Sequence, residues 1–234
     1  MANGIDSETL SQLLGLLAHD LRNPLSALHS NLGFIATCLG SENSEVNEAV
    51  QDTIASCDGL AAMIDNLEIL SRGLLQRDLP KLPVLFEPAL AEAVARTQAM
   101  AESHGVRLSY QRAISSARIL ANPDMLGFAL RNLLRNSIQH GGSAVPIQVS
   151  LRTHGSECQA LIEDAGMSIP LELRDEVFTA PGQVSTKSNA AGRYGRGLGL
   201  LCAKMAADAA GVSVAAIDPP SGQGHAFVLS APLL

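Results

Sequence analysis

The stretch Ala18-His19-Asp20-Leu21-Arg22-Asn23-Pro24-Leu25 lies inside a long segment whose apolar residues follow a helical repeat. These apolar residues recur mostly at steps of three and four, and they are Leu10, Leu14, Leu17, Leu21, Leu28, Leu32, Ile35 and Leu39. At about 100° per residue, His19 lies roughly 160° to 200° around the helix from Leu17 and Leu21. We therefore expect the imidazole to face solvent while its neighbours pack.

Asn23 and Pro24 give the same helix two further features. Asn23 follows His19 by one turn, about 40° around the axis, so both side chains share the outer face. Pro24 has no N–H, so the carbonyl of Asp20 loses its helical partner and we expect a kink. A solvated histidine on an amphipathic helix explains this pattern. So does an exposed nucleophile with a neighbouring carboxylate to take its proton, and the segment alone leaves both readings open.

The composition limits the class of protein. The chain has 234 residues, of which 47% are hydrophobic and 17% charged, as in folded domains. The net charge is −7, and residues 1–77 carry three basic side chains against ten acidic ones. Because nucleic-acid binding requires a basic face to neutralise phosphates, we expect no nucleic-acid partner.

The cysteines and the hydropathy pattern point to a reduced, cytoplasmic location. Cys38, Cys57, Cys158 and Cys202 are far apart and lack metal-ligand spacing, so we expect buried thiols. The sequence shows no signal peptide and no apolar run of about 18 residues, the length of a membrane span. We therefore expect no membrane segment in this chain, and a membrane sensor belonging to it would lie elsewhere.

Two predicted regions follow from the periodicity. Residues 1–77 form two long amphipathic helices joined by a turn near residues 40–44, which predicts an antiparallel hairpin. Pairing two hairpins into a four-helix bundle would cover both apolar stripes, so we expect a homodimer. The alternative is that the hairpin packs on its own chain. Residues 78–83 contain two prolines and are predicted as a linker. Residues 84–234 alternate strands and helices, including a helix at 123–140 capped by Asn122.

Four short motifs in this second region suit a bound nucleotide. Asn132 and Asn136 are one helical turn apart on one face of a helix. Because asparagine is a poor helix former, a pair facing the same way suggests a bound group, such as a hydrated Mg²⁺ with phosphates. Asp164 follows a strand beside a glycine turn and can accept from an exocyclic amine. Residues 195–200, Gly-Arg-Gly-Leu-Gly-Leu, open a helix whose free N–H groups suit phosphates. Residues 222–224 form a tight Gly-Gln-Gly turn.

Other nucleotide motifs fit this chain less well. The dinucleotide fingerprint should follow a strand, but a long polar segment precedes residues 195–200. Residues 182–188 are similar to a P-loop, yet they lack the glycine before Lys187. Neither motif accounts for the solvent-facing histidine.

Together and in this order, the motifs resemble the catalytic core of two-component sensor histidine kinases. The matches are His19 to Leu25 with the H box, Asn132 to Asn136 with the N box, Asp164-x-Gly166 with the G1 box, Phe178 with the F box, Gly195 to Leu200 with the G2 box, and Gly222-x-Gly224 with a last glycine turn. The resemblance covers residues 7–232.

The resemblance implies an α+β chain in two parts. The N-terminal helical hairpin would dimerise into a four-helix bundle, and a two-layer α/β sandwich of the gyrase-like type would bind ATP. The implied function is ATP-dependent autophosphorylation of a histidine. The phosphoryl group would then pass to an aspartate in the receiver domain of a response regulator, with dephosphorylation of that regulator as a further activity. ATP and Mg²⁺ are the implied cofactors.

The resemblance also implies roles for individual residues. His19 would be the nucleophile, Asp20 its base and Asn23 the residue that orients water for dephosphorylation. Asn136 would bind Mg²⁺ with support from Asn132. The predicted ATP-binding residues are Asn132, Asn136, Asp164, Gly166, Lys187, Arg193, Gly195, Gly197, Leu198 and Gly199. Among them, Asp164 would contact the adenine amine, and Gly166, Gly197 and Gly199 would make room for the nucleotide. Residues 179–196 would form an ATP lid.

The sequence departs from the family pattern at several positions. Gln139 and His140 stand where the family has a lysine and an aromatic residue, and Ser168 replaces a glycine of the G1 turn. The missing lysine motivates an alternative, a phosphotransfer or scaffold protein with a degenerate nucleotide site. Four further histidines match nothing in the pattern and are interpreted as structural or solvated: His29, His104, His154 and His225.

Overall fold

Two long helices open the chain. The computed structural model describes residues 7–38, 44–74, 79–111, 117–142, 144–183, 198–222 and 224–234. Helix α1 spans Ser7–Cys38 and continues through Pro24, and helix α2 spans Ser44–Leu74. The two helices pack against each other as a hairpin, as predicted. In the described residues, no helix combines the length and apolar character that crossing a membrane requires.

The hairpin shares its core with the rest of the chain. Leu13 and Leu17 of α1 and Ile69 and Leu70 of α2 are buried in one hydrophobic cluster with residues of the second region. Asp20 lies one turn after Leu17 on the same face and is also buried. The hairpin therefore packs on its own chain along one face, and the predicted homodimer stays a prediction.

The second region contains seven strands and three long helices in its described parts. They are β1 (Leu82–Leu85), α3 (Phe86–Ser103), β2 (Leu108–Gln111), β3 (Arg118–Ala121), α4 (Pro123–His140), β4 (Ile147–His154), β5 (Glu157–Asp164), α5 (Gly199–Ala210), β6 (Ser213–Ile217) and β7 (His225–Pro232). Two 3₁₀ turns, Leu171–Leu173 and Glu176–Phe178, follow β5. Strand β1 begins at Leu82, inside the six residues predicted as linker.

Five strands form one mixed sheet and two form a separate ribbon. The sheet order is β2-β4-β5-β7-β6, with β2 parallel to β4 and the other neighbours antiparallel. Strands β1 and β3 pair antiparallel. Alternate residues of β4, Ile147, Val149 and Leu151, are buried in the same core as α3, α4 and α5. This arrangement confirms the predicted α+β fold class.

Asn122 connects the start of α4 to the preceding linker. Its Oδ1 accepts a hydrogen bond from the backbone N–H of Met125 at 3.1 Å, which caps the helix as predicted. Its Nδ2 donates to the carbonyl of Pro80 at 2.9 Å. Pro123 occupies the first helical position, where its missing N–H is not needed. One side chain thus positions both the helix and the linker.

We expect Asn122→Ala to destabilise the protein by about 1 to 2 kcal/mol, since it removes the cap and the bond to Pro80. Asn122→Asp keeps the capping oxygen but has no N–H for Pro80, so it should cost less. Urea unfolding measures the difference, and hydrogen exchange at residues 79–82 reports the linker. Equal losses in the two variants would contradict the capping role.

Candidate functional site

A cavity of about 950 Å³ lies between the hairpin and the second region. Asp20 and Asn23 of α1 line it on one side. Asn132 and Asn136 of α4 and Gly199 at the start of α5 line it on the other. Residues of the H box therefore meet residues of the N and G2 boxes around one space, although more than a hundred positions separate the H box from the other two in the sequence.

The side chains of Asn132 and Asn136 lie on one face of α4. Asn132 is only 2% exposed, and its Nδ2 donates to the carbonyl of Phe128 at 3.2 Å, which fixes the amide. Asn136 is half-buried on the next turn. Amide oxygens suit Mg²⁺, which keeps several waters and takes other ligands from phosphates. The described residues contain no cluster of three His, Cys, Asp or Glu side chains suited to a metal, so this donor set fits a phosphate-bound Mg²⁺ rather than an all-protein cage.

The start of α5 leaves room near this pair. Leu198 is buried, and its carbonyl accepts from the N–H of Cys202 at 2.7 Å in the first turn. A Cβ added at Gly199 would meet nothing closer than Oδ1 of Asn132, at 4.0 Å. Among the residues of the described ranges, the start of α5 therefore leaves space beside the asparagines, where a phosphate chain would meet the helix N-terminus.

Arg135 lies between the two asparagines in sequence and reaches the hairpin. Its Nη1 donates to Oδ2 of Asp65 in α2 at 2.9 Å, and the two side chains are 19% and 29% exposed. Nearby, Sγ of Cys202 lies 3.6 Å from the carbonyl of Asn66. Gln139 and His140 line the same cavity, so the positions that depart from the family pattern belong to the site.

Asp164 is a buried carboxylate with a free acceptor. It ends β5 and is 3% exposed. Its Oδ1 accepts from the N–H of Gly166 at 2.9 Å, whereas its Oδ2 has no hydrogen-bond partner among the residues of the described ranges. Leaving a buried acceptor unpaired is costly, so Oδ2 is suited to receive a donor from a ligand. Met167 and His225 form the adjacent cavity wall.

Three glycines enclose Asp164. A Cβ added at Gly141 would lie 2.7 Å from the Cβ of Asp164, and a Cβ added at Gly166 would lie 2.5 Å from the carbonyl oxygen of His140. At Gly224, where φ is +84°, it would lie 1.9 Å from the Asp164 carbonyl oxygen. Gly166 was predicted to make room for a nucleotide. That role stays a prediction, and the missing side chain also lets the loop after β5 approach the end of α4.

His225 is a site residue that the sequence analysis did not find. The register of β5 and β7 pairs Asp164 with His225, and Nδ1 of the ring lies 3.3 Å from Oδ1 of the carboxylate. Burial lowers the pKa of His225, and the Asp164 carboxylate and the Met167 backbone oppose that shift. The available signal was a polar residue directly after the Gly-x-Gly turn, at the start of an apolar strand.

The other singled-out residues have simpler surroundings. Phe178 is buried and meets Phe227 edge-on, with centroids 6.1 Å apart, so the F-box aromatic anchors the second 3₁₀ turn on β7. Cys158 and Cys202 are free and buried, and burial raises the pKa of Cys202 to about 12. His104 and His154 are exposed, as the solvated reading predicts.

Several predicted residues lie outside the described part of the chain. They are Lys187, Arg193, Gly195 and Gly197, together with the side chains of His19, His29, Cys38 and Cys57. The backbone of His19 belongs to α1, between the buried residues Leu17 and Asp20.

Two family models match the chain. One, the His Kinase A (phospho-acceptor) domain, matches residues 9–74. The other, the histidine kinase-, DNA gyrase B-, and HSP90-like ATPase, matches residues 121–234. The first range includes His19, and the second includes the predicted nucleotide residues.

Proteins with similar sequences are sensor histidine kinases. The sensor-like histidine kinase SenX3 of Mycolicibacterium smegmatis is 28% identical over 218 residues, which cover 92% of this chain and 56% of SenX3. The sensor-type histidine kinase PrrB of Mycobacterium leprae is 29% identical over 222 residues, which cover 92% of this chain and 46% of PrrB. The chain thus spans about half the length of the curated relatives it matches.

Solved structures share the fold at lower identity. Histidine kinase ThkA in complex with the response regulator protein TrrA gives a TM-score of 0.63 at 17% identity, over 97% of this chain and 63% of that one. The Acinetobacter baumannii histidine kinase AdeS gives a TM-score of 0.60 at 17% identity, over 92% of this chain and 98% of the AdeS chain. The likeness therefore extends over both parts of the chain.

We expect Gly224→Ala to destabilise the protein by at least about 3 kcal/mol, because the new methyl would overlap the Asp164 carbonyl and the positive φ adds strain. Gly222→Ala is the matched control, since its φ is +74° but an added Cβ meets nothing within 4 Å. It should cost only about 1 to 2 kcal/mol. Urea unfolding compares the two, and similar values would show that the close approach to β5 is unimportant.

Proposed function

Because the chain belongs to the two-component sensor histidine kinases, we propose that it uses ATP to phosphorylate its own His19. The phosphoryl group then passes to an aspartate of a response regulator. The observation that carries this proposal is the shared cavity, in which Asp20 and Asn23 of the hairpin face Asn132 and Asn136 of the ATPase domain. A nucleotide held by α4 and α5 would have its phosphates directed toward the hairpin.

The nucleotide site uses groups with complementary chemistry. Oδ2 of Asp164 accepts from the adenine amine, and the N-terminus of α5 at Gly199 receives the phosphates. Asn136 binds Mg²⁺, supported by Asn132. When bound, Mg²⁺ neutralises charge on the phosphates. Lys187 and Arg193 in the lid provide cations for the γ-phosphate, in place of the lysine absent at Gln139.

The phosphotransfer step requires a nucleophile and a base. The lone-pair nitrogen of the neutral His19 ring attacks the γ-phosphorus, a nitrogen–phosphorus bond forms, and the bond to the bridging oxygen breaks to release ADP. The proton on the other ring nitrogen passes to Asp20. Asp20, the next residue along α1, is buried and lines the cavity.

The hairpin has apolar surface left for a second copy. Leu25 and Ile64 are each 60% exposed, and Phe34, Val50 and Leu67 are also exposed. Val50, Ile64 and Leu67 fall within about 100° of each other around α2, and a C2 pairing of two hairpins into a four-helix bundle covers such a stripe. We therefore include a homodimer in the proposal, with the ATPase domain packed on one side of each hairpin, and a cytoplasmic location for the assembly.

Incubation with γ-labelled ATP and Mg²⁺ should place label on the wild-type protein that is acid-labile and alkali-stable, as expected for phosphohistidine. His19→Gln should abolish the label. His29→Gln, the same change ten residues along α1, should keep it. Asn136→Ala should lose the label because Mg²⁺·ATP is no longer held. Acid-stable label, or ATP binding without any label, would contradict the proposal.

Asn23→Ala tests the dephosphorylation of the regulator. We expect slower loss of phosphate from the phosphorylated regulator, because the amide that orients the attacking water is gone. Autophosphorylation of His19 should persist. The measurement follows labelled regulator over time with each kinase variant, with Asn31→Ala on the same helix as control. Unchanged loss of phosphate with Asn23→Ala would rule out this role.

A further inference from the structure

The wall of the cavity carries few charges that could hold a phosphate chain. The carboxylates on this wall are those of Asp20 and Asp52, and both belong to the hairpin. Arg135 is the only lysine or arginine that lines the cavity among the residues that the structure describes. Because the phosphates of a nucleotide are strongly negative, they require a cation to offset their repulsion from these carboxylates.

Arg135 lies on the same face of α4 as the proposed magnesium ligands. Asn132, Arg135, Asn136 and Gln139 fall within about 100° around the helix axis, and all four line the cavity. The side chain of Arg135 is 19% exposed. A phosphate beside the two asparagines would therefore lie on the face of the helix that carries the guanidinium.

The guanidinium of Arg135 has donors left for a ligand. Its Nη1 donates to Oδ2 of Asp65 at 2.9 Å, and within the described ranges this is its only hydrogen bond. A guanidinium carries five N–H donors and stays charged at any physiological pH. Its planar fork also matches the spacing of two phosphate oxygens. The contact with the hairpin therefore leaves both charge and donors for a second anion.

We infer that Arg135 binds the terminal phosphates of the nucleotide, and so supplies from α4 the cation that Gln139 does not. This inference rests on the proposed function, since it assumes that a nucleotide occupies the cavity. The carboxylate of Asp65 then competes with the phosphates for one guanidinium. If the ion pair had only a structural role, loss of either partner would have the same effect on the nucleotide. A phosphate ligand makes the two losses differ.

The test measures the dissociation constants of AMP-PNP, a non-hydrolysable analogue of ATP, and of AMP by calorimetry on the full chain with Mg²⁺. The two ligands share the adenosine and the first phosphate, so the ratio of their constants reports the terminal phosphates. Arg135→Gln should reduce the preference for AMP-PNP about tenfold, because a hydrogen bond between charged groups is lost. Asp65→Asn also breaks the ion pair but leaves the arginine charged, so its preference should be at least as large as that of wild type.

Two further variants control for the charge and restore it. Arg131→Gln removes an arginine one turn earlier on α4, whose guanidinium lies 4.7 Å from the ring centroid of Phe128 and lines a different cavity. This variant should match wild type. Adding Gln139→Lys to Arg135→Gln returns a cation to the same wall, one turn further along α4, and should restore most of the preference.

The outcomes separate this inference from the proposed function. If AMP-PNP binds and the ratio is unchanged in Arg135→Gln, or falls equally in Asp65→Asn, the phosphate role of Arg135 is wrong and the kinase proposal stands. If wild-type protein binds neither nucleotide, both fail. Loss of a partly exposed ion pair should leave the protein folded, which circular dichroism checks. Should Arg135→Gln not fold, Asp65→Asn decides alone, and a lower ratio in that variant overturns the inference.

Discussion

The antiparallel pairing of β5 with β7 brings Asp164 against His225, at the edge of the sheet where we propose that the nucleotide binds. Three glycines surround Asp164, because the chain approaches this residue closely from the end of α4, from the loop after β5 and from the turn before β7. The result is a buried carboxylate with one oxygen satisfied internally and the other free. A free buried acceptor is unfavourable in the empty protein and favourable when a ligand donates to it.

Helix α4 connects this site to the remainder of the molecule. At its start, Asn122 holds the linker through Pro80, and on its cavity face Asn132 and Asn136 lie beside the N-terminus of α5. Arg135, from the same helix, bonds to Asp65 of the hairpin. Ion pairs that keep partial exposure contribute about 1 kcal/mol or less. The ion pair therefore adds only a small part of the contact between the hairpin and the second region, and the shared hydrophobic core that includes Leu17 and Leu70 supplies the rest.

Local patterns accounted for much of the fold. Helix α4 begins and ends where periodicity and the Asn122 cap predicted, because both signals act within one or two turns. Residues 171–178 form two 3₁₀ turns, and Phe178 packs on β7. Pairing with β3 makes Pro83 part of strand β1. In both places a partner distant in sequence fixes the local structure.

By itself, the sequence determined the family and predicted a two-part organisation and the chemistry, because the order and spacing of the boxes are properties of the chain. The tertiary structure decided which side chains share the cavity, how Gly166 is used and that Arg135 reaches Asp65. It also decided that His225, read from the sequence as structural or solvated, is the neighbour of Asp164. The physical reason is strand register: a shift of one residue would turn His225 to the other face of the sheet, and no pattern within β7 specifies its partner in β5.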